Sequence, residues 1–218
     1  MIEATYIDHM GSDLSVVNAA RVSFGKKSEW NPNYRDEPPL YPKDEKLIKY
    51  LAKHRHISPF GHSFASFHVK APIFVARQLV KHKFLRWNEI SRRYVDSDPE
   101  FYLPDEWRGR SEDKKQGSDG VIYPLSVSEN EFVNYTALRV YKELLEEGVA
   151  PEQARMVLPQ STMTEWYWSG SLDAFADMCN LRCKNDTQYE TRVVANKISE
   201  KLLDLFPVSW EALKENDR

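Results

Sequence analysis

Between His62 and Lys81 the hydrophobic period of the chain changes once, and that change dictates a strand running directly into a helix. Ala65, Phe67, Val69 and Ala71 alternate with polar or amphipathic residues, Phe64 excepted, which is the period of two expected of a half-buried strand. Pro72 then stands where a helix tolerates proline, in its first turn. Ile73, Val75, Ala76 and Leu79 continue at helical spacing towards Lys81. A sheet with one buried face needs helices to cover it, so this junction points to an α+β architecture.

The flanking segments fit that frame. Ala4–Ile7 reads as a short strand, and a helix starts near Ser12 or Asp13 with Leu14, Val17 and Ala20 on one face. The polar, Pro-rich stretch Lys26–Pro42 is expected as loop. Pro42–His54 is expected as a helix whose first turn holds Asp44 and Glu45 and whose stripe is Leu47, Ile48 and Leu51. Residues Pro104–Gly120 are almost all polar and are expected as a long exposed loop.

The C-terminal half is expected to be helical. Ser128–Glu147 carries Phe132, Tyr135, Leu138, Tyr141 and Leu145 at helical spacing, with Ser128 and Glu131 placed for a capping box and Gly148 as the stop. Pro151–Leu158, Leu172–Arg182 and Asp186–Phe206 are further helices. No internal repeat interrupts this pattern, so residues 1–218 are expected to form one α+β domain: a small antiparallel sheet against a mainly helical remainder.

Charge separates the function classes. Thirty Lys+Arg against 33 Asp+Glu leave a net −3, which argues against a nucleic-acid coat or an anionic membrane surface. Apolar runs such as Ala71–Ala76 reach about six residues, far below the roughly 20 of a membrane helix. The N-terminus lacks a basic start followed by an apolar stretch, so no signal peptide is expected. Only Cys179 and Cys183 occur, spaced as neighbours on one helix face. A reducing cytoplasm is the expected setting. Against the acidic total, Lys70–Tyr94 holds seven Lys+Arg and one acid, Glu89. A local excess of this kind suits a phosphate-bearing ligand. If Glu89–Arg93 is extended, Glu89, Ser91 and Arg93 share one side and offer an acceptor, a hydroxyl and a guanidinium fork to a nucleotide.

That stretch resembles the signature of flavin-dependent thymidylate synthases: Arg-His-Arg, seven residues, Ser, then an Arg-Tyr pair. Here the frame reads Lys81-His82-Lys83, seven residues, Ser91, and Arg93-Tyr94, with Asn88-Glu89 inside it. Asn18–Phe24, His56–His62, Phe67–Gln78, Ala154–Pro159 and Asn180–Cys183 resemble further blocks of the family in the family's order, so the likeness covers most of the chain, least around 104–123. Lysines replace both arginines of the signature, keeping the charge and losing the planar fork. Gly61 stands where the family usually has Glu, Arg86 where it often has a small residue, and Ser171 and Asp177 where amides are common.

The resemblance implies a homotetramer with FAD sites shared between subunits, making dTMP from dUMP with methylenetetrahydrofolate as carbon donor and NADPH as reductant. Carried onto matching positions, Gln78, Glu89, Ser91, Arg92, Arg93, Arg155 and Arg182 would bind dUMP, Arg93 and Arg155 at its phosphate. Arg182 and Ser91 would stand at the reacting pyrimidine, Arg182 polarising the ring as charge develops. The sequence places no general base beside Ser91, so it is read as a binding residue rather than a nucleophile. Ser23, His56, Ser58, Lys81, His82, Lys83, Asn88, Glu89, Ser171 and Asp177 would contact FAD, with His56 also near the folate.

Other readings of these residues stay in view. His54, His56, His62 and His68 lack a standard ligand spacing, so no metal site is expected, and a mix of core and flavin-contacting histidines fits better. The Trp166-Tyr167-Trp168 cluster is expected as core or subunit interface. Arg155, read within an apolar helix, should have an anionic partner. The alternatives are a related enzyme acting on another pyrimidine nucleotide or yielding another product, and a single-stranded nucleic-acid binder that stacks bases on Phe84, Trp87 and Tyr94.

Overall fold

The computed structural model describes residues 1–33, 39–95, 97–112 and 117–215. Strand β1 (Glu3–Met10) leads into helix α1 (Asp13–Arg21), whose start is fixed by Ser12: its backbone N–H donates to Ser15 Oγ at 3.0 Å. Helix α2 (Pro42–Lys53) follows the Pro-rich stretch, of which 34–38 lie outside the described residues. Asp44 is fully buried rather than facing solvent at the helix start; it accepts from Arg21 Nε and Ser28 Oγ, each at 3.0 Å. One carboxylate thereby ties α1, α2 and the start of the loop between them.

Strand β2 (Phe64–Pro72) and helix α3 (Ile73–Leu79) realise the expected switch, with Ala65, Phe67, Val69 and Ala71 buried. Helix α3 ends at Leu79, two residues before Lys81. Strand β3 (Leu85–Glu89) comes next, and β4 (Trp107–Arg110) pairs with β5 (Ser118–Ile122) as an antiparallel hairpin where an exposed loop was expected, 113–116 lying outside the described residues. Nothing in that segment's polarity announces a hairpin, because it is held by contacts to the rest of the protein.

Helix α4 (Val127–Glu146) is preceded by Ser126 as N-cap, so the capping box expected at Ser128 and Glu131 does not form. Of its expected stripe only Tyr141 is buried, while Phe132 and Tyr135 are exposed. Helix α5 (Pro151–Ala154) passes into a short 3₁₀ turn, Arg155–Val157. The next segment corrects the all-helical reading of the C-terminal half: Met163–Ser171 is strand β6. Its side chains alternate, Trp166 and Trp168 in and Tyr167 out, because the segment is flanked by β2 and β3 and pairs with both. Helices α6 (Leu172–Arg182), α7 (Tyr189–Leu205) and an unanticipated α8 (Pro207–Glu215) complete the chain.

The main sheet is antiparallel in the order β1-β2-β6-β3. Helices α3, α6 and α7 cover its apolar face. The aromatic centre is built there: Trp87 stacks on Trp166 at 4.3 Å, Trp168 meets Phe175 of α6 edge-on at 5.6 Å, and Phe67 meets the same ring at 5.5 Å. The expected tryptophan core is present, on a strand rather than a helix. None of the six histidines is a core residue, so the mixed core role expected for His54, His56, His62 and His68 does not hold. Helix α8 packs on α2, α6 and α7 and is anchored by buried Asp13, whose carboxylate accepts Val208 N–H at 3.0 Å and Ser209 N–H at 2.9 Å.

Candidate active site

The ends of α3 and α6, the start of α7, the β4–β5 hairpin and the Pro159–Ser161 segment line an open cavity of about 920 Å³. That volume lies within the range of small-molecule sites. Of the residues expected from the sequence, Gln78, Lys81 and Arg182 line it. Strands β2 and β6 are antiparallel, so α3 and α6 leave the sheet at opposite ends, and their C-terminal ends meet where Arg182 Nη2 reaches the Gln78 carbonyl oxygen.

His82 joins this group through Arg182. Arg182 Nε donates to His82 Nε2 at 3.0 Å, and Arg182 Nη2 donates to the Gln78 carbonyl oxygen at 3.3 Å. Nη1 has no partner among the described residues and is free for a ligand. Because Nε2 accepts, the imidazole proton sits on Nδ1. Burial first and the guanidinium beside it second push His82 down to about 4, so the ring is neutral near pH 7. Burial also draws Arg182 down from its ordinary value, which leaves it cationic. The result is a fixed positive charge at the cavity wall, aimed by a neutral imidazole.

Glu89, Ser91, Arg92 and Arg93 follow one another at the free edge of the sheet, in a geometry that differs from an extended run. Strand β3 stops at Glu89 and the chain turns at Arg92–Tyr94. Ser91 and Arg93 do meet: Ser91 Oγ accepts Arg93 N–H at 3.3 Å and Arg93 Nε at 3.2 Å. Glu89 leaves the trio, because its carboxylate accepts Thr164 Oγ1 at 2.7 Å and Trp87 Nε1 at 3.1 Å. Arg92 donates to the Ser97 carbonyl. No base sits on Ser91 among its described hydrogen bonds.

The remaining expected residues lie outside this cavity. Asp177 lines a second depression of about 360 Å³ with Arg55 and Ile57, whose sequence neighbours are His56 and Ser58. Burial first and then Asp173 raise Asp177 above the usual carboxylate value. Ser171 is the buried N-cap of α6. Lys83 is exposed two residues before β3, Asn88 is exposed within it, and Ser23 is exposed in the 3₁₀ turn Val22–Phe24. Arg155 is exposed and donates to the Glu152 carbonyl at 3.2 Å. The argument that it must carry an anionic partner falls, since a solvated guanidinium has no desolvation cost to offset.

Several cavity residues had no signal in the sequence. Arg108 of β4 pairs with buried Glu190 of α7, donates through Nε to Ser118 Oγ at 2.9 Å, and stacks over the Tyr189 ring at 4.3 Å. Tyr102 donates to Glu190 Oε1 at 3.4 Å; burial and then the Glu190 charge push its phenol up to about 12. This cluster holds the hairpin over the cavity.

Residues 5–208 match the family model described as thymidylate synthase complementing protein. The chain is 40% identical over 211 residues to the flavin-dependent thymidylate synthase of Thermus thermophilus, covering 96% of this chain and 74% of that one. It is 40% identical to the enzyme of that name from Thermosipho africanus over 212 residues, 94% of this chain and 88% of that one. The chain belongs to the flavin-dependent thymidylate synthase family. Among solved structures, the UMP/dUMP methylase PolB from Streptomyces cacaoi, bound with 5-Br dUMP, superposes with a TM-score of 0.83 at 31% identity, over 99% of this chain and 95% of that one. The same protein bound with 5-Br UMP gives a TM-score of 0.84. Membership of this family and the PolB likeness agree with the α+β fold. No described helix is long and apolar enough to cross a membrane.

Proposed function

We propose that residues 1–218 act as one flavin-dependent thymidylate synthase domain that converts dUMP to dTMP, with methylenetetrahydrofolate as carbon donor and NADPH reducing FAD. The observation that carries this reading is the meeting of Gln78, Lys81, His82 and Arg182 around one cavity, all four from three of the sequence stretches that resemble the family. Family membership and a methylase neighbour bound with dUMP analogues support it.

The donor set fits a flavin dinucleotide. Lys81 lines the cavity and Lys83 follows two residues on, giving two ammonium groups suited to a diphosphate, and His82, between them in the sequence, adds an Nδ1–H donor. FAD, when bound, supplies the hydride that completes the reduction of the transferred carbon to a methyl group. Arg182, with Nη1 free, holds a pyrimidine carbonyl and stabilises negative charge there as the ring is attacked. Ser91 and Arg93, already joined, bind the nucleotide's phosphate together with Arg92 and Arg155. The hairpin forms one wall of the cavity through Trp107, Arg108 and Ser118.

Ser23, His56, Ser58, Arg155 and Asp177 do not line the Gln78–Arg182 cavity of their own chain. Their dispersal, and the exposure of Phe24, Phe132 and Tyr135 at 78%, 68% and 65%, support a homotetramer in which FAD sites are completed by a neighbouring subunit. We read the enzyme as one of the cytoplasm, and its acidic total argues against a nucleic-acid coat.

The test is spectroscopic. Protein reconstituted with FAD should show the flavin band, lose it under anaerobic NADPH, and regain it only with both dUMP and methylenetetrahydrofolate, with dTMP as product. Bleaching without nucleotide-dependent recovery would refute the assignment. The PolB likeness favours one second reading, a methylase of another pyrimidine nucleotide; recovery with UMP in place of dUMP would select it.

A further inference from the structure

The chain's two thiols stand together at the end of the helix that carries Arg182. Cys179 and Cys183 are four residues apart on α6, and Cys183 caps the helix, its N–H donating to the Cys179 carbonyl oxygen at 2.8 Å. Cys179 is fully buried beneath α7, with the Ala195 carbonyl oxygen 3.6 Å from its sulfur. Cys183 is half-buried and open to small solutes.

Three helices meet at the Cys183 sulfur. It accepts the S–H of Cys179, Lys214 of α8 brings an ammonium group into hydrogen-bonding contact, and Glu200 of α7 adds an opposing charge. The bond from Cys179 and the Lys214 charge draw the Cys183 thiol down to about 7, against its burial, Glu200 and the carboxyl end of α6. Burial and that same bond push Cys179 up, so it keeps its proton. One sulfur is thereby prepared to attack an electrophile, and a protonated one waits beside it.

On an ideal helix, residues four apart hold their Cα atoms about 6.2 Å apart, within the span of a disulfide. Their Cβ atoms lie about 5–6 Å apart and must close to about 4 Å, so a bridge requires the last turn of α6 to give. Arg182 sits in that turn, immediately before Cys183. Its bonds to His82 Nε2 and to the Gln78 carbonyl oxygen depend on the turn staying in place.

We propose that Cys183 is a site of oxidation by hydrogen peroxide, that Cys179 resolves it, and that the resulting bridge pulls Arg182 away from His82 and weakens nucleotide binding. The Cys183 thiolate attacks one peroxide oxygen; the O–O bond breaks, hydroxide leaves, and Cys183 becomes a sulfenic acid. The Cys179 sulfur then attacks the Cys183 sulfur. The S–S bond forms, the S–O bond breaks, and the Cys179 proton leaves with that hydroxyl as water. Two electrons pass from the two thiols to one peroxide, and a dithiol reductant returns them. The effect on binding rests on the reading of the main cavity as the nucleotide site; the oxidation does not.

The test treats FAD-reconstituted protein with dilute hydrogen peroxide and counts thiols after unfolding. Both thiols should disappear together, the chains should stay unlinked on a non-reducing gel, and the rate should rise with pH about a midpoint near 7. The dUMP dissociation constant, measured by calorimetry, should rise about tenfold or more on bridging, as expected for the loss of a charge-assisted contact, and dithiothreitol should restore both thiols and affinity. Cys183→Ser should keep its Cys179 thiol through the same treatment, and Cys179→Ser should stop at a sulfenic acid on Cys183 that dimedone labels. Thiols that survive peroxide, a bridge between chains, loss of Cys179 from Cys183→Ser at the wild-type rate, or bridged protein with unchanged dUMP affinity would each overturn the proposal. Should Cys179→Ser fail to fold, wild type and Cys183→Ser decide. Reduced wild type that binds no dUMP would bring down the nucleotide-site reading instead, and the thiol counts would then decide the oxidation alone.

Discussion

The neutral imidazole of His82 makes a quantitative prediction about stability and pH. In the folded chain the ring is half-buried, accepts from Arg182 and is held down to about 4; in the unfolded chain it titrates near 6.5. Its folded value is depressed, so the stability it contributes is complete above pH 6.5 and is lost as pH falls from there towards 4, where the unfolded chain binds a proton that the folded chain refuses. A fall from 6.5 to about 4 corresponds to about 3.4 kcal/mol at 1.36 kcal/mol per pH unit. Solvent screening of a half-buried ring reduces that to roughly 1.5 kcal/mol. His82→Gln keeps an acceptor for Arg182 and cannot titrate. Urea unfolding of wild type and variant from pH 8 to pH 4 should therefore give a stability difference that shifts in the variant's favour by about 1.5 kcal/mol across the window, most of it below 6.5. Other titrating groups cancel between the two proteins. A difference that is flat with pH would refute the neutral imidazole, and with it the orientation assigned to Arg182.

Arg93 is exposed and its side-chain contacts among the described residues include Ser91 and Tyr94, so Arg93→Ala should raise the dUMP dissociation constant about tenfold or more while FAD content stays constant; equal losses of both ligands, or of neither, would remove it from the phosphate site. Asp13→Ala strands the Val208 and Ser209 N–H groups at the start of α8 and should cost about 2 kcal/mol in chemical denaturation, with an unchanged midpoint counting against the anchoring role. A Cβ at Gly170 would lie 2.4 Å from Leu85 Cδ2 and 3.2 Å from the Phe84 carbonyl oxygen, so Gly170→Ala should destabilise by about 1–3 kcal/mol and loosen β3; a melting temperature equal to wild type would show that β3 yields freely.

How much of this was readable without coordinates depends on the range of the interactions involved. The β2–α3 switch was plain because both periods are local and each repeats over several residues. The alternation in Met163–Ser171 was present too, as Trp166 and Trp168 inside and Tyr167 outside attest, but helical segments on both sides hid a strand whose partners lie about a hundred residues away. Strand β6 exists because β2 and β3 accept its hydrogen bonds. The hairpin at Trp107–Ile122 was invisible for a related reason: its chain is polar, and the Arg108–Glu190 pair that holds it joins residues 82 apart. The exposed stripe of α4 shows the converse. Helical spacing told of an apolar face, and this chain alone leaves much of that face uncovered.

The site divides in the same way. The basic run, the Lys81-His82-Lys83 frame and the acid-hydroxyl-guanidinium series from Glu89 to Arg93 were legible as chemistry suited to a nucleotide, since charge and donor type are carried by residue identity. Identity does not carry orientation. That Arg182 is aimed by a neutral His82, that Glu89 is drawn off to Thr164 and Trp87, that Arg155 is solvated, and that a buried Glu190 pairs with Arg108 of the hairpin were decided where distant elements meet. The sequence by itself determined which groups the protein can offer a ligand and which segments bury an apolar face, because these follow from composition and period. The tertiary structure alone decided which groups face one another, and so their protonation and hydrogen-bond polarity, because those depend on burial and on partners far away in the chain.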